Sequence, residues 1–147
     1  KANADTRGRS INQMIDRFVE RNPNNAISFK SIGQLNYLSA LKHVDGVLGN
    51  SSSGIIEAPT LKTGTINIGD RQLGRVKADS VIDSEPNIEA IDCAIQKLMS
   101  NDFAKLVRNV KNPHEGGDVT KRIIQTLLDS VNDLKIKKSF YDLHFIS

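Results

Sequence analysis

This sequence predicts an α/β fold in which a parallel sheet carries helices on both faces, and three features predict it. Short apolar runs, among them Val47-Leu48, residues 65–68 and Val81-Ile82, alternate with segments whose apolar residues recur at helical spacing. Turns rich in glycine and serine, or in glycine and arginine, follow two of those runs directly, at residues 49–54 and 69–75. The sequence shows no repeat period or low-complexity tract that would suggest another architecture.

The elements follow in order. The first nine residues hold the turn formers Asn3, Asp5, Thr6 and Gly8, so something is expected to precede them. A helix capped by Ser10 follows, with Ile11, Met14, Ile15, Phe18 and Val19 forming one apolar stripe. Asn22-Pro23-Asn24-Asn25 ends it, and residues 26–29 read as a short strand. Residues 34–43 form a second helix with Leu35, Leu38 and Leu41 inward, delivering the chain to the Val47-Leu48 strand. Beyond the serine turn a short helix starts at Ile55, and residues 65–68 and Val81-Ile82 are further strands. Glu85-Pro86-Asn87 caps a helix whose inward face is Ile88, Ile91, Ile95 and Leu98. Two more helices cover residues 101–110 and 118–134, the latter with Val119, Ile123, Leu127 and Val131 on one face.

Composition narrows the function classes. A chain of 147 residues is about one domain, and 38% hydrophobic with 25% charged residues is globular composition. No apolar run approaches the roughly 20 residues of a membrane span, and no leader pattern opens the chain, so no membrane association and a cytoplasmic location are expected. The lone Cys93 excludes an internal disulfide, and three distant histidines give no metal-site spacing; no metal or other cofactor is expected. The net charge of +3 is spread along the chain and no tryptophan is present, which argues against nucleic acid as a partner.

The segment Gly49-Asn50-Ser51-Ser52-Ser53-Gly54-Ile55-Ile56-Glu57 holds the chemistry. A strand, a turn of small hydroxyl residues and a helix start place amide donors and the positive end of a helix dipole around an anion. Ser51 and Ser52 add neutral donors, Gly54 allows close backbone approach, and Glu57 is an acceptor for hydroxyl groups such as those of a ribose. An ordinary turn with an N-capping serine accounts for the same residues. In parallel sheets ligands bind beyond the carboxyl ends of the strands, so this turn and the Gly69-Asp70-Arg71-Gln72-Leu73-Gly74-Arg75 loop should share one edge. Serine donors, guanidinium groups and one carboxylate together suit a nucleoside diphosphate.

These two motifs, with Ala2-Asn3-Ala4-Asp5 and Gly8 near the start and Asn112-Pro113 and Gly116-Gly117 before the last helix, closely resemble the C-terminal region of the hydrolysing UDP-N-acetylglucosamine 2-epimerases of sialic-acid biosynthesis. The resemblance covers nearly the whole chain. It implies a three-layer Rossmann-like sheet as the incomplete C-terminal domain of a glycosyltransferase-B type fold, with residues 1–134 as the nucleotide-binding domain and 135–147 as a tail. It also implies a UDP-sugar substrate, an N-terminal domain holding the catalytic carboxylates, no catalytic residue within this chain, and a homo-oligomer as the full-length protein. Matched position by position, Ser51 and Ser52 fall at the phosphates or sugar, with Gly54 beside them. Glu57 falls at the ribose, Arg71 in the nucleotide site, and Asn3 and Asp5 at the same cleft. Thr63-Gly64-Thr65 stands where the family usually carries a proline, and His114-Glu115 replaces an aromatic-glycine pair.

Three function classes follow: the UDP-binding half of such an epimerase, the same chemistry on a UDP-diacetamido-trideoxy sugar of the legionaminic acid route, or a non-catalytic nucleotide-binding module. Other signals have ordinary explanations. His43 suits a helix end, His114 a surface loop, His144 a tail, and Cys93 inert helix packing. Asn50-Ser51-Ser52 is formally a glycosylation sequon, and Lys135, Lys137 and Lys138 a solvated helix terminus. Phe140, Tyr141 and Phe145 should pack on something.

Overall fold

A computed structural model describes residues 8–131. Asn3, Asp5 and the aromatic tail lie outside the described residues. The chain divides after Pro113 into two units.

The first unit contains helices α1 (Gly8–Arg21) and α2 (Gly33–Leu41), strand β1 (Gly46–Gly49), the short helix α3 (Ser53–Ile56), strands β2 (Gly64–Ile68) and β3 (Val81–Ser84), and helices α4 (Ile88–Leu98) and α5 (Asn101–Asn109). The strands form one parallel sheet in the order β1-β2-β3, so the fold class is the expected α/β class with a Rossmann-like parallel sheet. Gly49 pairs with Asn67, which in turn pairs with Asp83, and the three strands end at one edge. Side chains alternate across a strand, so Ile66 and Thr65 serve opposite faces. Ile66 joins Ile82, Ala94, Phe103 and Val107 in the core beneath α4 and α5, with Ile68 and Leu98 packed against it. On the other face the Thr65 hydroxyl donates to the Gly54 carbonyl at 2.9 Å and ties α3 down. At Gly54 an added Cβ would stand 2.5 Å from Thr65 Cγ2, so α3 can lie this close only with glycine there.

The caps explain where helices start. Asn87 accepts from the Ala90 amide at 2.9 Å to open α4, and Ser100 accepts from Phe103 to open α5. The helix that the sequence starts after Ser10 begins at Gly8, so Ser10 lies inside it.

Four expectations need correction. Residues 26–29 form no strand, because β1 pairs only with β2 and these residues join no ladder. In α2, Leu41 is buried and Leu38 half-buried, but Leu35 is 82% exposed. At about 100° per residue, Leu35 and Leu41 lie about 120° apart around the axis. The same geometry governs α4, whose inward face is Ile91, Ala94 and Leu98, leaving Ile88 and Ile95 at its exposed margin. Cys93 is exposed rather than packed.

Thr63, in the Thr63-Gly64-Thr65 segment where the resemblance expects a proline, is buried and donates to the Leu41 carbonyl at 2.5 Å, linking the start of β2 to the end of α2. In the second unit, α6 (Val119–Ser130) follows Asp118, which has a left-handed backbone. Its Val119, Ile123, Leu127 and the following Val131 are exposed. Among the described residues no helix is long and apolar enough to cross a membrane.

Candidate functional site

The serine turn and the arginine loop meet at the carboxyl edge of the sheet. The turn leaves β1 after Gly49, and the loop leaves β2 through Gly69, whose φ of 75° suits glycine. Gln72 joins them: its side-chain amide donates to the Asn50 carbonyl at 2.8 Å. Ser51, Ser52, Gly54 and Arg71 therefore belong to two segments held against each other.

Within the turn, Ser52 precedes α3 with a helical backbone and makes no side-chain cap. Ser51 Oγ accepts weakly from the Ser53 amide at 3.4 Å, and Ser53 Oγ shares a 2.7 Å hydrogen bond with Tyr37 Oη of α2. The amide supply is smaller than a helix start suggests. Gly54 donates to the Ser51 carbonyl and both Ile55 and Ile56 donate to the Ser52 carbonyl, so those three amides are spent within the turn, and the Ser51 and Ser52 hydroxyls add donors beside it.

Glu57 ends α3 and is half-buried, and its Oε2 is enclosed with no donor. A carboxylate oxygen in that condition is costly unless a donor-bearing group reaches it. Arg71 is exposed and, among the described residues, makes no hydrogen bond or ion pair. Its guanidinium is thus available for an anion. Asn112, buried, donates to the Ile56 carbonyl at 2.8 Å and to Thr60 Oγ1 at 2.7 Å, securing the exit of α3.

Two neighbouring features went unforeseen. Tyr37 lines a wide-open surface pocket of about 540 Å³ together with Phe29, Ile32 and Gln34, and its bond to Ser53 puts that pocket beside the turn. Asn67, 2% exposed, donates to Asp83 Oδ1 at 2.7 Å, and Lys77 holds both Asp83 oxygens at 2.7 Å. Burial pushes the Asp83 carboxyl up, but hydrogen bonds from Lys77 and Asn67 and the Lys77 charge outweigh it and hold the carboxyl below its usual range. Long-range side-chain contacts of this kind leave no periodic trace in the sequence. His43 and His114 are exposed, and no group of three or more His, Cys, Asp or Glu side chains arranged for a metal occurs among the described residues.

The chain is similar in sequence to several known proteins. The chain is 44% identical over 97% of its length to a protein of Campylobacter jejuni named GDP/UDP-N,N'-diacetylbacillosamine 2-epimerase (hydrolyzing). It is 43% identical over 77% to polysialic acid biosynthesis protein P7 of Escherichia coli. Over 80% of its length it is 32% identical to UDP-N-acetylglucosamine 2-epimerase of Neisseria meningitidis. It spans 37%, 29% and 31% of those proteins, about a third of each. The family model described as UDP-N-acetylglucosamine 2-epimerase matches residues 1–128, which include both motifs and every element from α1 to α5, and this chain belongs to that family.

Proposed function

We propose that this chain is the UDP-binding half of a hydrolysing UDP-N-acetylglucosamine 2-epimerase. The observation that carries the proposal is the enclosed, donorless Oε2 of Glu57 on the helix that follows the Ser51-Ser52 turn, with Arg71 on the loop that Gln72 ties to that turn. In this reading ribose hydroxyls donate to Glu57, Ser51 and Ser52 donate to diphosphate oxygens, and Arg71 neutralises them. Uracil occupies the Tyr37 pocket. Gly54 keeps the turn on Thr65.

The reaction removes the proton at C2 of the sugar and breaks the C1–O bond, so that UDP departs with the bonding electrons and a C1=C2 enol ether remains. Water then adds its oxygen at C1 and a proton returns to C2 on the opposite face, giving N-acetylmannosamine. This chain's share is to bind and stabilise the departing diphosphate. Proton transfer at C2 falls to the N-terminal domain, and the full-length protein acts as a cytoplasmic homo-oligomer. A second reading keeps the chemistry and replaces the sugar with a diacetamido-trideoxy sugar; the name of the 44% identical Campylobacter protein favours it.

Calorimetric titration with UDP tests the site. The chain should bind with Kd on the order of 0.1–10 mM, because one wall of the cleft leaves the phosphates wet and screened. Arg71→Ala and Glu57→Ala should each weaken UDP while thermal unfolding is unchanged. Unchanged affinity in both variants refutes the site. Release of N-acetylmannosamine from UDP-N-acetylglucosamine by the chain alone refutes the division of labour.

A further inference from the structure

We propose that Gln72 is a positioning residue, setting the distance and orientation between the Ser51 turn and Arg71 so that both act on one diphosphate. The proposal rests on the UDP reading above. Gln72 is 3% exposed, whereas Asp70, Arg71, Leu73, Gly74 and Arg75 around it are all exposed. The loop's own backbone bonds are local, from Leu73 to Asp70 and from Arg75 to Gln72. Among the described residues, the 2.8 Å bond from Gln72 Nε2 to Asn50 O is the only hydrogen bond that joins residues 70–75 to another segment.

Its position gives it leverage. The ladder between β1 and β2 stops at Gly49 and Asn67, so backbone pairing no longer fixes the two chains where the turn and the loop begin. Gln72 fixes them again, acting on the residue before Ser51 from the residue after Arg71. In a trans peptide the carbonyl and the following N–H point in opposite directions. Holding the Asn50 carbonyl therefore fixes the Ser51 amide and the start of the serine turn.

The other end of the side chain carries a cost that sets against the bond to Asn50. Oε1 is enclosed with no donor, a standing cost that methionine, similar in length and without polar atoms, would remove. Gln72→Met removes that cost and also the bond to the Asn50 carbonyl, two opposing effects, so the melting temperature should change little. UDP affinity should fall roughly three- to tenfold, the factor carried by one well-placed hydrogen bond. Uridine lacks the diphosphate, so its affinity should not change.

The experiment measures UDP and uridine binding by NMR titration, with melting temperatures, for the wild-type chain, Gln72→Met and Gln72→Leu. The leucine variant is apolar and uncharged, loses the donor and serves if methionine prevents folding. Selective loss of UDP affinity at unchanged melting temperature supports the proposal. Equal loss of UDP and uridine with a lower melting temperature, or unchanged UDP affinity, overturns it. If the wild-type chain binds UDP no better than uridine, the UDP reading itself fails, an outcome distinct from a variant that leaves the wild-type preference intact.

Discussion

The backbone of Gly54 lies against the Thr65 side chain with no room for a Cβ, and this yields a two-residue prediction. A Cβ at Gly54 would lie 2.5 Å from Thr65 Cγ2 and 3.3 Å from Oγ1. Carbon atoms in contact settle near 3.5–4.0 Å, so α3 or Thr65 must retreat by about 1 Å. Thr65 is buried and its hydroxyl holds the Gly54 carbonyl, so neither yields freely. Overpacking of this kind costs about 1–3 kcal/mol, against which alanine gains about 0.5–1 kcal/mol over glycine in a helix, leaving Gly54→Ala destabilised by about 0–2.5 kcal/mol. Thr65→Ser deletes the clashing Cγ2 and keeps the hydroxyl; alone it should cost about 1 kcal/mol for one buried methyl. In the double variant the alanine methyl occupies the vacated space, so the two effects should fall short of their sum by about 1–2 kcal/mol. Urea unfolding of the four proteins measures the coupling, and UDP titration should show affinity lost in Gly54→Ala and regained in the double variant. Additivity within about 0.5 kcal/mol would refute the packing argument.

Other predictions rest on single observations. Because the folded pKa of Asp83 is depressed below its ordinary 3.8, its ion pair stabilises the fold above that value and the contribution disappears as pH falls through the folded pKa. The carboxylate is 59% exposed and screened, so the loss should stay within about 1 kcal/mol, and Asp83→Asn should flatten that part of the acid limb in urea midpoints measured from about pH 7 to about pH 2. Phe103→Ala empties the centre of the core cluster and should cost about 3–5 kcal/mol by the same unfolding assay. Asn112→Ala leaves the Ile56 carbonyl without its side-chain donor and should cost about 1–3 kcal/mol, with UDP affinity reduced as the exit of α3 loosens.

What could be read from the sequence was what local chemistry dictates. The parallel sheet follows from runs such as Val47-Leu48 and Thr65-Ile66-Asn67-Ile68, and the start of α4 from Asn87, whose cap needs only residues three apart. The common edge of the serine turn and the arginine loop follows from strand direction alone. Contacts between distant segments did not announce themselves: Tyr37 meets Ser53 across 16 residues, Thr63 meets Leu41 across 22, and Gln72 meets Asn50 across 22. Gln72 is the sharpest case, since a glutamine between arginine and leucine in a glycine-bounded loop reads as solvated until the neighbouring turn is placed over it. Leu35 and Ile88 failed for a different reason. Apolar spacing identifies a helix better than it identifies the centre of the buried arc, and each of these residues lies at the margin of that arc.

The two faces of β2 show why site and core are compatible in so small a sheet. A central strand of a parallel sheet is ordinarily apolar toward both helix layers. Here the alternation Thr65-Ile66-Asn67-Ile68 gives one face to the aliphatic core and the other to buried hydrogen-bonding groups, with Thr65 and Asn67 both at or below 3% exposure. On that polar face Thr65 grips the α3 backbone and Asn67 grips Asp83, which Lys77 holds in turn. Such contacts are directional, whereas apolar packing tolerates sliding, so α3 is fixed in position as well as in depth. The accompanying cost is visible in Asn67 Oδ1, Gln72 Oε1 and Glu57 Oε2, enclosed acceptors without donors. Stability comes from the Phe103 side of the sheet. The opposite side spends part of it to hold the serine turn where a diphosphate would need it.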